Sequence, residues 1–422
     1  MQATRRSGFL PRSRGAVGIA VAAATAGAIV LAGCSSSSPQ AVTGSGSGSS
    51  NSASSLSGTP YVFGTDSTDS SQSLSLVGAA DGFMAWADYT NAHGGINGHP
   101  VKVIRCNDEN TPDGDTTCAR QLIGNQQVLA VAGSESGVIS SSGEPLFAAA
   151  GLPYVCGNPL APVEFQASSA YCVTGGPSAE YAALVDYLVG TLHIKNIVSV
   201  NIGTTVGLQT TAFWSAIAKK EGATVEDVVV QPAESDYTAA VTQAQADHAG
   251  AYLIGIDPAS TARFFQAATQ VGVTVPMATV GSAVTEAVTE AAQQYPGPFY
   301  YTQSAQILDD KNPDIAPYLS QMKADGYDSQ VGNASVASWM TGLVLKAALT
   351  KLGAANVSRS ALNNLLQKGS LTNVPLLPSP LNLADAPTGF PHLANAGTYI
   401  VKQQGSSSSY VSGRITAQYF SG

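Results

Sequence analysis

Residues Ala85–Val138 read AWADYTNAHGGINGHPVKVIRCNDENTPDGDTTCARQLIGNQQVLAVAGSESGV, and their order decides the fold. A helix ends at a glycine turn, an alternating strand follows, then a polar loop, a second helix and an apolar strand. The glycine-rich turn GSESG is predicted to open a further helix. This is the repeat of a parallel sheet whose strands are joined by helical crossovers. A strand that turns through glycine into a helix is where such sheets hold small ligands. The stretch therefore predicts a protein that grips a small molecule here and does no chemistry on it.

The pattern extends in both directions. Upstream, Tyr61–Gly64 reads as a short strand, and a helix from Leu74 to Ala92 carries Val77, Ala80, Phe83, Met84 and Ala87 on one face. Within the stretch, Val101–Cys106 and Val128–Ala132 are strands flanking a helix over Thr117–Gly124, and Pro153–Cys156 is the next strand. Downstream, helices over Ser178–His193, Gly207–Glu221, Tyr237–His248 and Ser260–Gln270 alternate with strands Ile197–Ile202, Val225–Val230, Ala251–Ile256 and Val275–Val280. Two such sets predict an α/β protein of two lobes, each a doubly wound parallel sheet. Strand Pro298–Gln303 leads back to the first lobe, followed by helices over Ile315–Gly326, Ser335–Leu352 and Arg359–Lys368. Gly397–Gln403 and Tyr410–Ile415 read as a closing hairpin.

The N-terminus gives the compartment. Arg5, Arg6, Arg12 and Arg14 precede an uncharged run from Ala16 to Gly33 that ends Leu31-Ala32-Gly33-Cys34. Residues 1–33 have the build of a secretory signal peptide, and LAGC resembles the bacterial lipobox, whose cysteine is lipidated. A spanning anchor is the rival reading, but the run is mostly Ala and Gly and Cys34 stands at its end. TRRSGFL has one residue too many for a twin-arginine signal, so the export route stays open. Residues 34–59 are Ser/Gly-rich, a flexible tether of about 25–30 Å. Charged residues make up only 11% of the chain, against about 25% in ordinary domains, so small polar residues must cover much of the surface. Removing the signal takes four arginines and no acid, lowering the formal net charge from −9 to −13. That balance argues against nucleic acid as a partner.

Beyond Cys34, four cysteines remain for an oxidising compartment: Cys106, Cys118, Cys156 and Cys172. Of the three possible pairings, Cys106–Cys118 and Cys156–Cys172 are favoured, because each closes a short loop beside a strand. No CxxC or HxxxH spacing supports zinc. CNDENTPDGD resembles a calcium loop, but Pro112 replaces one ligand and Ala119 the terminal glutamate. No metal or cofactor is expected.

Taken together, GGINGHPVKV, CNDENTPDGDTTCARQLI, GSESG and GLPYVCGNPLAP resemble, in their order and spacing, the type I periplasmic substrate-binding proteins of the branched-chain amino acid (Leu/Ile/Val) class. The likeness covers about residues 60 to 415. It implies two lobes joined by three hinge crossings, with lobe 1 at 60–177 and 302–380 and lobe 2 at 178–301 and 381–418. It also implies a monomer, lipid-anchored on the extracytoplasmic face of the cell membrane, that delivers its ligand to an ABC permease. By the same resemblance Ser136 and Gly137 hold a ligand carboxylate, with Asn158, Pro159 and Leu160 beside them. In the second lobe Val206 and Asp257 stand where amino-acid-binding members carry aromatics. The acid that would pair with a ligand ammonium falls near Val280, and no carboxylate is there. A less polar carboxylate, an amide or another small organic solute therefore fits at least as well as leucine, isoleucine or valine.

An enzyme is the rival class. GSESG has glutamate where a nucleophile elbow needs serine, and no phosphate or dinucleotide loop follows a strand. A sensing module of the same fold, acting on a signalling partner, is the alternative within binding proteins.

Overall fold

The computed structural model describes residues 56–421 except 72–74, 204, 232–233, 379, 383–386 and 388–389. The signal segment, Cys34 and nearly all of the tether lie outside the described residues. Residues 52–422 form one compact unit.

The first sheet is built from β1 (Tyr61–Ser67), α1 (Val77–Ala92), β2 (Val101–Asn107), α2 (Pro112–Gly124), β3 (Val128–Ala132), α3 (Gly143–Ala150) and β4 (Tyr154–Val155). Its four strands run parallel in the order β2-β1-β3-β4. All seven residues of β1 are buried, as a central strand covered on both faces by helices must be. The second half begins with α4 (Gly176–Asp186) and continues through β5 (Asn196–Ile202), α5 (Thr205–Lys220), β6 (Thr224–Val230), α6 (Thr238–Ala246) and β7 (Ala251–Gly255). Then come α7 (Pro258–Val271), β8 (Met277–Thr279), α8 (Glu286–Gln294) and β9 (Phe299–Gln303). Three helices, α9 (Ala316–Ala324), α10 (Asn333–Leu352) and α11 (Arg359–Lys368), precede the short pair β10 (Ser370–Leu371) and β11 (Leu381–Asn382). The chain closes with β12 (Tyr399–Gln404) and β13 (Ser407–Tyr410). The second sheet has the order β13-β12-β9-β8-β7-β5-β6. The five strands β9-β8-β7-β5-β6 are parallel, and β12 and β13 add an antiparallel edge on the β9 side.

Both expected disulfides are present. Cys106–Cys118 joins Cα atoms 5.7 Å apart, and Cys156–Cys172 joins Cα atoms 4.5 Å apart. Three differences from the sequence reading have local causes. Helix α2 starts at Pro112 rather than Thr117, because Thr111 caps it by accepting from Gly114 N at 3.0 Å and proline suits the first position. GSESG does not open a helix. The Ser136 hydroxyl accepts from Val138 N and Ile139 N, each at 3.2 Å, so the backbone turns locally and α3 begins only at Gly143. The closing hairpin turns earlier than expected, β13 being Ser407–Tyr410, while Ile415 bridges back to Thr398.

Three buried clusters make the core. One joins the first sheet to α1, α9 and α10 through Phe63, Phe83, Trp86 and Trp339. A second lies between the second sheet and α6, α7 and α8. The third runs from the far face of the first sheet through α4 to the far face of the second. Helices α1 and α10 meet closely because each supplies a glycine. A Cβ on Gly82 would lie 2.1 Å from the Ser335 carbonyl oxygen, and one on Gly342 would lie 2.0 Å from the Trp86 ring.

The chain crosses between the halves three times, and the crossings lie side by side. Cys172 N donates to His392 O at 2.8 Å, and Ala394 N donates to Cys172 O at 2.9 Å. Thr398 Oγ1 donates to Gln303 O at 2.9 Å.

Candidate functional site

In each sheet one central strand has neighbours whose connections leave in opposite directions, β1 between β2 and β3, and β5 between β6 and β7. Loops at the carboxyl ends then part and leave a crevice. A cleft of about 960 Å³ opens there, lined from the second half by the ends of β5, β7, β8 and β9 and from the first by Leu76, Glu135, Leu160 and the start of α10. Its wall is predominantly apolar. One side is aromatic: Trp214 on α5 and Tyr181 on α4 have ring centroids 3.9 Å apart. Both rings are fixed from behind, Trp214 Nε1 donating to Ser199 Oγ at 3.1 Å and the Tyr181 hydroxyl to Ile254 O at 2.8 Å.

Glu135 is the buried acid of the cleft, 2% exposed. Asn158 Nδ2 donates to its Oε1 at 2.6 Å. Burial pushes its carboxyl up to about 8, with Asn158 pulling the other way and the nearby acids Glu180 and Glu164 adding to the rise. It is therefore largely protonated at neutral pH and can donate as well as accept.

Glu180, on α4, lies deeper. Thr302 Oγ1 and Asn333 Nδ2 donate to it at 2.8 and 2.7 Å, Gly281 N at 3.3 Å and Ser304 Oγ at 3.5 Å. Burial raises its carboxyl and these donors oppose the rise. One side chain thus ties α4 to β9, to the loop after β8 and to α10.

Of the residues expected at the ligand, Leu160 and Asp257 line the cleft. Asp257 caps α7, its Oδ1 accepting from Ser260 N at 3.0 Å, so one of its oxygens is already engaged. Asn158 and Pro159 are buried behind the wall, Asn158 orienting Glu135. Ser136 is committed to its own turn and to Asp108, to which its hydroxyl donates, and the exposed Gly137 stands outside the cleft lining. Val206 lies in the first turn of α5, and its side chain is outside the described residues. The sequence reading passed over Glu135, Tyr181 and Trp214. One signal was available, since Gly207, Thr210 and Trp214 recur at spacings of three and four and so share a helix face.

A second hollow, of about 750 Å³, lies away from the cleft, between α10, Tyr89 of α1, Pro317 of α9 and the 370–375 loop. Among the described residues no helix is long and apolar enough to cross a membrane.

The fold is shared with solved proteins. A leucine binding protein of Thermotoga maritima is 15% identical, the match covering 84% of this chain and 98% of that one with a TM-score of 0.68. A fatty acid ABC transporter substrate-binding protein of Thermomonospora curvata is 15% identical, covering 86% and 93% at a TM-score of 0.70. An ABC transporter solute binding protein of R. palustris, solved in complex with benzoate, is 14% identical, covering 86% and 99% at a TM-score of 0.70. At these identities the likeness carries the fold alone. No curated protein matches the chain in sequence. The family model described as periplasmic binding protein matches residues 62–391, which takes in the parallel strands of both sheets, Glu135 and the cleft, and on that match the chain belongs to the periplasmic binding protein family, in its type I fold.

Proposed function

We propose that this protein is an exported lipoprotein that captures a small organic solute between its two halves and delivers it to an ABC permease. The observation that carries the reading is the cleft itself, at the carboxyl ends of the parallel strands of both sheets, with an apolar and aromatic wall and one buried acid, Glu135. Such a site suits a ligand with an apolar body and one polar head. A neutral Glu135 donates a hydrogen bond to a carboxylate or an amide carbonyl, so we assign the ligand to small carboxylates and amides. The named ligands of the three similar structures, leucine, a fatty acid and benzoate, are all carboxylates with apolar bodies, which supports this class.

The hinge reading rests on the three adjacent crossings near residues 173–176, 303–305 and 394–398, about which the half built on the first sheet and the half built on the second close as a monomer. The third crossing falls later than the 380/381 boundary expected from the sequence, because β11 (Leu381–Asn382) pairs with β10. Export and lipidation at Cys34 rest on the Arg-rich start and the LAGC ending, and they place the protein on the extracytoplasmic face of the membrane. Here Ser136 and Gly137 shape the turn that presents Glu135, while Leu160, Val206 and Asp257 border the ligand.

A panel of short carboxylates, amides, amino acids and sugars tests the function by thermal shift and tryptophan fluorescence. Trp214 lines the cleft, whereas Trp86 and Trp339 do not, so Trp214→Phe should abolish the fluorescence response and spare the thermal one. A ligand at 100 times Kd adds about 2.7 kcal/mol of stability. No response to any small solute refutes the reading. Recovery of Cys34→Ala in the membrane fraction at unchanged mass refutes the lipid anchor.

A further inference from the structure

At the carboxyl edge of the first sheet three acids converge from three segments: Asp66 in β1, Asp108 just beyond β2 and Asp115 in the first turn of α2. One carboxylate oxygen from each lies within 4.8 Å of the others, and all three residues are 0% exposed. Two are held from outside. Thr68 Oγ1 and Asn110 N donate to Asp108 Oδ1 at 2.8 and 2.7 Å, Ser136 Oγ donates to Asp108 Oδ2, and Gly143 N donates to Asp115 Oδ2 at 2.5 Å. Gly143 also makes the room, since a Cβ there would lie 2.4 Å from Asp115 Oδ1. Asp66 differs. Among the described residues neither of its oxygens meets a donor from outside the cluster, nor does Asp115 Oδ1, although all are buried. The nearest arginine in sequence, Arg105 on β2, is paired with Asp69 and Asp81 instead.

Three buried carboxylates with no counter-charge are costly. Protons or a cation can relieve them. A proton shared between Asp66 and Asp115 Oδ1 neutralises one charge and still leaves the second oxygen of Asp66 without a donor.

We propose that Asp66, Asp108 and Asp115 form a binding site for a hard divalent cation, calcium in preference to magnesium. The ligand set is all oxygen. Oxygens at the 2.3–2.6 Å of calcium are separated by at most about twice that length, and the three oxygens here lie within 4.8 Å of one another, inside that limit. The three side chains come from separate segments with an irregular surround, which suits the variable geometry of calcium better than the strict octahedron of magnesium. The donors behind Asp108 and Asp115 orient them as outer partners orient metal ligands. The site is not the linear loop that CNDENTPDGD resembles, because its third acid arrives from β1, forty residues earlier. Through Ser136, which donates to Asp108, the site also holds the turn that carries Glu135.

The test uses the purified full chain, stripped with a chelator and titrated with calcium chloride or magnesium chloride by calorimetry, with metal content measured by mass spectrometry. The expected result is one calcium per chain, bound saturably, with a rise in Tm. Asp66→Asn should weaken calcium tenfold or more, while Asp113→Asn, an exposed acid on the same segment, should leave it unchanged. Asp115→Asn provides the same reading if Asp66→Asn fails to fold. No stoichiometric binding of either cation at millimolar concentration overturns the proposal, and so does calcium binding undiminished in the Asp66 and Asp115 variants. Tighter binding of magnesium than calcium overturns the assigned preference.

Discussion

Glu135→Gln should make the protein more stable, increasingly so as the pH rises. In the folded chain the Glu135 carboxyl is raised from 4.5 to about 8 by burial. The unfolded chain therefore releases its proton near 4.5 while the folded chain keeps it until about 8. Across that window the folded state binds more protons, so stability falls with rising pH, by up to about 1.4 kcal/mol per pH unit. By pH 8 the accumulated cost approaches about 5 kcal/mol, an upper figure because Glu180 and Glu164 titrate in the same neighbourhood. Glutamine has nearly the same shape, carries no charge, and keeps an oxygen to accept from Asn158 Nδ2, now 2.6 Å from Glu135 Oε1. The variant should match the wild type at pH 4.5 and exceed it by several kcal/mol at pH 8. Urea unfolding at half-unit steps from pH 4.5 to 8.5 measures the difference directly. A gap between the two proteins that stays constant with pH refutes the reasoning.

The same group should govern binding. Affinity for a carboxylate ligand should fall as the pH passes about 8 in the wild type and stay level in Glu135→Gln, measured by calorimetric titration; a rise with pH would mean a cationic ligand head. Gly342→Ala places a methyl group 2.0 Å from the buried Trp86 ring and should cost about 1–3 kcal/mol, read from the urea midpoint. Replacing Cys156 and Cys172 together with serine opens a loop of 16 residues and should cost about 3 kcal/mol, again by urea unfolding under non-reducing conditions.

What the sequence revealed, and what it hid, follows from the range of the forces involved. Strands such as Val128–Ala132 and Ala251–Gly255 are short apolar runs bounded by turn residues, and helical spacing at Val77, Ala80 and Phe83 is local, so the alternation of elements was readable. The disulfides were readable because each closes a short loop. Helix α8 was missed because its buried residues, Val288, Ala291 and Ala292, span little more than one turn. The opening of GSESG was misjudged because Ser136 does bond the amides of Val138 and Ile139 as a cap would, but the chain makes only a turn there, its hydroxyl being tied to Asp108 as well, and α3 begins at Gly143. Glu135 was passed over for the adjacent serine because an acid in a polar turn gives no local sign of burial. Its surroundings, including Asn158, which donates to it, reach it only through the fold. Asp66 is the same case, a strand acid whose companions lie more than forty residues away.

The Glu180–Asn333 bond reaches further than holding two helices. Glu180 belongs to the half built on the second sheet and Asn333 to the half built on the first, so a rotation that parts the halves breaks it. A hydrogen bond to a carboxylate of this kind contributes about 1.5–3 kcal/mol, enough to hold the parted form to roughly 1–10% of molecules at equilibrium. Under the closure proposed above, the bond would act as a spring catch, setting how many empty molecules resemble loaded ones. Weakening it would improve entry of the cargo and, by the same energy, shorten the time the cargo is kept.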